Sequence, residues 1–143
     1  MTEYDVYCYV EDNGTWDMSF MHEGHMVYIE GQEHKEDELR NAIQAHLEIL
    51  QFLRKWVQEG TFRIYTNNVY CISCVERWIP LWIQKGFRIG HTSRLRPNTD
   101  LLVKLHSFSS CMNFKFIQHY DNYDTYMSFY KSKLINQSPP IMT

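Results

Sequence analysis

Cys71 and Cys74 stand in the spacing Cys-x-x-Cys, a motif that can bind zinc or exchange a disulfide. Zinc needs four donors, and no second cysteine pair or His-x3-His follows at a matching distance. Packing of two thiols as small apolar groups on a helix face is the simpler reading. Carboxylates gather at Glu11-Asp12 and at Glu36-Asp37-Glu38. The first pair suits a solvated turn, and the second run suits the positive end of a helix dipole, an effect of about 0.3–1 kcal/mol that needs no metal. Asn67-Asn68, following a strand-like run, reads as a turn or helix cap. Lys85, Arg88, Arg94 and Arg96 are the one basic concentration, either a phosphate-contacting edge or a solvated loop. Trp78 and Trp82, at i and i+4, read as packing anchors ahead of stacking platforms for bases. The seven histidines are scattered, with His22 and His25 in one hairpin turn, and each is expected at the surface.

Positioning these side chains requires an ordered set of elements. Tyr4 to Val10 alternates and is rich in β-branched and aromatic residues, so a strand is expected there, ended by the turn sequence Glu11-Asp12-Asn13-Gly14. Trp16 to Met21 and Met26 to Ile29 complete a three-strand meander. From about 35 to 58, Leu39, Ile43, Leu47, Leu50, Leu53 and Val57 recur at three- and four-residue spacing, the stripe of an amphipathic helix closed by Gly60. Phe62 to Tyr65 is a short strand. Val69 to Gln84 is helical, kinked or divided by Pro80, which has no N–H to donate, and stops at Gly86. Asn98 to Ser107 forms a further helix with Asn98 as its cap and Leu101, Leu102 and Leu105 facing inward. Phe114 to Gln118 is a last strand, and Asp121 to Leu134 a last helix, with Tyr123, Tyr126 and Tyr130 spaced to share a face.

The order β-β-β-α-β-α-α-β-α implies an α/β fold of the mixed α+β kind: a five-stranded mixed sheet flanked by helices. At 143 residues, 44% hydrophobic and 15% aromatic, the chain builds one domain over 1–136 with its own core, and 137–143 is expected to fray. Fourteen basic against seventeen acidic residues, a net charge of -3, exclude a broad basic footprint for nucleic acid. Any such contact must be local. Such a core has no need of disulfides among Cys8, Cys71, Cys74 and Cys111, no signal-peptide pattern opens the sequence, and no apolar run approaches a membrane span. An intracellular setting, cytoplasmic or nuclear, without membrane or secretion is expected.

From about Tyr4 to about Tyr126 the chain resembles ribonuclease H domains. Glu38-Leu39 matches the acidic residue and Leu that open the family's long helix. Thr66-Asn67-Asn68-Val69-Tyr70 stands where the family reads Thr-Asp-Ser-x-Tyr. Trp78-Ile79-Pro80-Leu81-Trp82, Gly86-Phe87 and Asn98-Thr99-Asp100-Leu101 are similar to its later landmarks. The resemblance implies a site in which four acidic residues hold two Mg²⁺ ions that clamp the attacking and leaving oxygens of a phosphodiester. Here that set is altered. Glu11 replaces an aspartate and extends the carboxylate by one methylene, Glu38 matches, and Asn67 replaces an aspartate with a neutral amide. The fourth acid falls on Asp124, or on Asp121 in its place, so the metal ligands implied are Glu11, Glu38 and Asp124. His119 marks what remains of a loop before that position. Substrate contacts are implied at His34 and Lys35, where amides that read RNA 2′-hydroxyls are usual, and at Asn68, while the basic concentration itself offers Arg88, Arg94 and Arg96 as phosphate contacts.

Two functions follow. The leading expectation is a degenerate, catalytically impaired ribonuclease H-like module, a pseudoenzyme that binds a protein partner or, weakly, an RNA–DNA hybrid or structured nucleic acid, without a cofactor. The alternative is a divergent nuclease that cuts the RNA strand of such hybrids with weakly held Mg²⁺ or Mn²⁺.

Overall fold

The computed structural model describes residues 2–34 and 37–119. Strands β1 (Glu3–Val10), β2 (Thr15–His22) and β3 (His25–Gln32) form the expected antiparallel meander. The β2–β3 hairpin closes on the pair His22 and His25, with Glu23 and Gly24 both at positive φ (51° and 79°). A two-residue turn of this hand matches the twist of the strands it joins. Strand β4 (Thr61–Thr66) then lies parallel to β1, and β5 (Asn113–Gln118) parallel to β4, giving the sheet order β3-β2-β1-β4-β5. The five-stranded mixed sheet flanked by helices is the architecture the pattern of elements implied.

Helix α1 (Glu38–Trp56) makes the crossover between β3 and β4. It starts later than the apolar stripe suggested because Asp37 caps it, accepting from the backbone N–H of Leu39 (2.9 Å) and of Arg40 (3.2 Å). Ile43, Leu47, Leu50 and Leu53 are fully buried against the sheet, whereas Leu39 at the head of the stripe is 45% exposed. The stop also differs from expectation. Gln58 takes the left-handed conformation (φ 73°) and donates to the Leu53 carbonyl, while Gly60 is needed because a Cβ there would come within 2.7 Å of the Tyr4 ring.

Pro80 divides the next helical stretch. Helix α2 (Val69–Ser73) opens into a wider π-type turn over Cys74–Trp78, where Ile79 N–H bonds back to the Cys74 carbonyl, and α3 (Ile79–Ile83) follows. A proline lacks the N–H of the regular ladder and crowds the carbonyl four residues earlier, and the wider turn relieves both faults. Helix α4 (Thr99–Cys111) extends past Ser107 and packs on α1. Asn98 precedes it in the left-handed region (φ 65°) and does not cap it by side chain. Its Oδ1 instead accepts from Arg40 Nη1 (3.2 Å), and the same guanidinium forks onto both carboxylate oxygens of Asp100 at 3.0 and 2.7 Å. The starts of α1 and α4 are thereby tied together. The expected last helix and the tail lie outside the described residues. Among the described residues, no helix is long and apolar enough to cross a membrane.

Val6, Cys8 and Val10 of β1, with Met18, Phe20, Phe62, Ile64 and Phe116, meet α1 and α4 in one core. Inside it stands His46, which corrects the expectation of surface histidines: it is 0% exposed. Its Nδ1–H donates to the Ala42 carbonyl (2.7 Å), which fixes the tautomer, so Nε2 accepts from the Thr66 hydroxyl (2.8 Å). Burial lowers its pKa from 6.5 to about 4. As pH falls the unfolded chain therefore takes up this proton first. The stability held by neutral His46 is fully present above about pH 6.5 and is lost toward pH 4, roughly 3 kcal/mol in all. Urea unfolding midpoints should fall across that window, and His46→Gln, which cannot titrate, should remove most of the slope. An unchanged slope in the variant assigns it to other groups.

Candidate functional site

Parallel pairing of β1 with β4 brings the ends of the two strands side by side, and this places Asn67 against Val10. Alternation along β1 decides what meets there. The Glu11 N–H bonds across to the Thr15 carbonyl (2.8 Å) on the β2 side, so Val10 turns its own N–H and C=O toward β4. Both are met by one side chain. Asn67 Oδ1 accepts from Val10 N–H, and Asn67 Nδ2 donates to the Val10 carbonyl, each at 2.8 Å. The amide imitates a backbone peptide and extends the ladder past the last residue of β4. An aspartate could accept the first bond but has no proton for the second.

Glu11 follows directly, exposed in the turn after β1. That turn rests on the chain entering α1: Gly14 is at φ 93°, its carbonyl accepts from Glu33 N–H (2.9 Å), and a Cβ on it would collide with the Glu33 carbonyl oxygen. The same Cβ would lie 3.2 Å from Asn41 Nδ2, one helical turn after Glu38. The β1 turn and the first turn of α1 are therefore neighbours. Glu38 is exposed there, behind the Asp37 cap, and His34 is exposed in the connection before it. Lys35, Asp121 and Asp124 lie outside the described residues.

Among the described residues, no three His, Cys, Asp or Glu side chains converge in a way that could hold a metal ion. Glu11 and Glu38 are, among the described residues, the two carboxylates of the set that the resemblance implied, and Asn67 Oδ1 is a neutral oxygen already engaged by Val10.

The remaining residues singled out from the sequence divide. Asn68 is the cap of α2, its Oδ1 accepting from Cys71 N–H (2.9 Å) and its own N–H donating to Thr66 Oγ1 (3.1 Å). Thr66 thus joins His46, Asn68 and, through its carbonyl, the His119 N–H (2.9 Å). The half-buried His119 ring stacks on Tyr7 at 5.4 Å, and burial lowers its pKa. Cys8, Cys71 and Cys74 are buried, with burial pushing the thiols of Cys8 to about 12 and of Cys74 to about 11. They are inert protonated thiols. Arg88 and Arg94 are exposed on the connection between α3 and α4, a small two-stranded turn bridged at Arg88 and Leu95. Arg96 is not on that edge: its guanidinium lies over the Trp82 ring, 4.5 Å from the centroid.

Sequence reasoning missed His46, whose position beside Leu47 on the buried stripe was the available signal. It also missed Arg40, whose partners Asn98 and Asp100 are close only in three dimensions.

No protein-family model matches the chain, and no curated protein matches it in sequence. Solved structures do. A foamy viral protease-reverse transcriptase, in complex with RNA/DNA hybrid, superimposes with a TM-score of 0.60 at 13% identity, covering 92% of this chain and 19% of that one. LC9-RNase H1, a type 1 RNase H with the type 2 active-site motif, gives 0.58 at 12% identity over 96% of this chain and 74% of that one. The solution structure of the PFV RNase H domain gives 0.56 at 11% identity, covering 93% and 89%. With the sheet order, the crossover helix and the strand ends already placed, these likenesses identify the chain as a domain of ribonuclease H-like fold.

Proposed function

We propose that this domain works by binding, and that its site for divalent metal is impaired. The observation that carries the reading is the two-point hydrogen bond between Asn67 and Val10. The side chain at the centre of the site serves the backbone. A charge that two dications would need is missing, and the amide oxygen is held against β1.

The binding face proposed is the connection from α3 to α4. Arg88 and Arg94 stand exposed on it beside Lys85, and the foamy viral relative has been solved with RNA/DNA hybrid and, separately, with dsDNA. With a net charge of -3 behind so small an edge, affinity for a hybrid is weak and steeply salt-dependent. Arg88→Ala with Arg94→Ala should flatten a plot of log affinity against log salt by about one unit for each phosphate that is no longer neutralised. A slope that does not move assigns hybrid binding to another face.

Two experiments address the site itself. The purified chain incubated with an RNA–DNA hybrid in Mg²⁺ or Mn²⁺ should leave the RNA strand intact. Metal-dependent cleavage that Glu38→Gln abolishes would establish the nuclease instead. Asn67→Asp should destabilise the metal-free protein at pH 7 by about 1–3 kcal/mol, because the Val10 carbonyl loses its donor and faces a carboxylate. The new group is harmless only when protonated, so the deficit should shrink as pH falls toward about 4. The same variant should gain affinity for Mn²⁺ by calorimetry, since it supplies a hard anionic oxygen. No change in either stability or affinity would mean that position 67 touches neither Val10 nor a metal site.

A further inference from the structure

Between the first turn of α1 and the helices α2 to α4 lies a groove of about 290 Å³ with largely apolar walls, among them Leu39, Tyr70, Trp78, Trp82 and Leu102. Arg96 is its one ionised wall. Its guanidinium lies on Trp82, and its Nε is buried with no hydrogen-bond acceptor. Among the described residues no carboxylate pairs with Arg96, and Asp100, the nearest acid in sequence, is held by Arg40. Lys85, Arg88 and Arg94 on the adjoining connection have no carboxylate partner among the described residues either. Among the described residues the groove is thus an apolar slot whose positive wall and positive approach have no carboxylate partner.

Two kinds of macromolecule suit positive charge, and the details separate them. A nucleobase would stack on the open face of a tryptophan, but one face of the Trp82 ring carries Arg96 and the ring also packs on Trp78, 5.7 Å between centroids. The surface along these elements is also aliphatic: Leu39 is 45% exposed, Leu81 57%, Ile83 40% and Leu95 55%. Exposed aliphatic groups gain nothing from phosphates and much from burial against apolar side chains. Resting on the reading of this domain as a binding module, we infer that the groove docks an acidic segment of a partner protein, one large apolar side chain entering the slot while a neighbouring carboxylate meets Arg96. A carboxylate that meets the Arg96 guanidinium at the groove wall gains a charge-assisted hydrogen bond. The aromatic walls supply the anchor pocket on which peptide recognition concentrates its energy.

The test is selection of a random twelve-residue peptide library on the immobilised full chain, followed by anisotropy titration of the enriched peptides. A consensus pairing Asp or Glu with a Leu, Phe or Trp is expected, with affinity reduced at least tenfold by Arg96→Glu. Leu39→Asp changes an exposed residue at the groove mouth and should weaken the same peptides comparably, so the test survives if Arg96→Glu fails to fold. A basic or uncharged consensus, no consensus, or affinity unaffected by both folded variants overturns the inference. An RNA–DNA hybrid that displaces the peptide at equal or lower concentration also overturns it and gives the groove to nucleic acid. Hybrid cleavage would overturn the module reading by a separate measurement, whatever the peptides show.

Discussion

The seam between β1 and β4 is where this molecule's architecture and its chemistry meet. Five parallel pairs, from Glu3 with Thr61 to Tyr7 with Tyr65, align the strands, and beyond them the Asn67 amide continues the ladder with two bonds of 2.8 Å to Val10. Backbone groups buried near a sheet end must find partners or lose on the order of 1–3 kcal/mol each. A side-chain amide, which presents an N–H and a C=O side by side in one plane, satisfies both. The Asn67 side chain therefore does the work of a peptide bond.

The adjoining polar groups are organised around the same strand end. Thr66 donates to neutral His46, accepts from Asn68 N–H, and through its carbonyl receives the His119 N–H. Asn68 then caps α2, so strand, crossover helix and following helix share one junction. Each member has its donor and acceptor roles set by its neighbours. Such a network is costly to rearrange, and a single uncompensated proton or charge is felt through all of it. At the start of α1, the Arg40 fork onto Asp100 ties the starts of α1 and α4 together, and the aromatic groove lies beside them.

Much of this could be read in the sequence, because strands and helices announce themselves through local spacing. The meander, the parallel extension, the buried run Ile43, Leu47, Leu50 and Leu53, and the division at Pro80 all follow from periodicity and backbone chemistry. What could not be read depends on partners distant in the chain. Leu39 fits the helical stripe yet is exposed at the groove mouth, and Asn98, a good cap by type, gives its side chain to Arg40. His46 is a polar residue on an apolar face, and only the arrival of Thr66 from β4 makes its burial tolerable. At the site, the resemblance set Asn67 where an acid was expected. The use made of that amide appears only once Val10 is seen beside it.

The central claim is that Asn67 belongs to the backbone and leaves no strong dication site at the strand ends. Paramagnetic broadening by Mn²⁺ in an amide NMR spectrum of the whole chain reads this directly, residue by residue. The account predicts that micromolar Mn²⁺ leaves the signals of Val10, Glu11, Glu38 and the Asn67 side-chain amide as sharp as those elsewhere on the surface. Selective, saturable loss of those signals together, at micromolar metal, would contradict it.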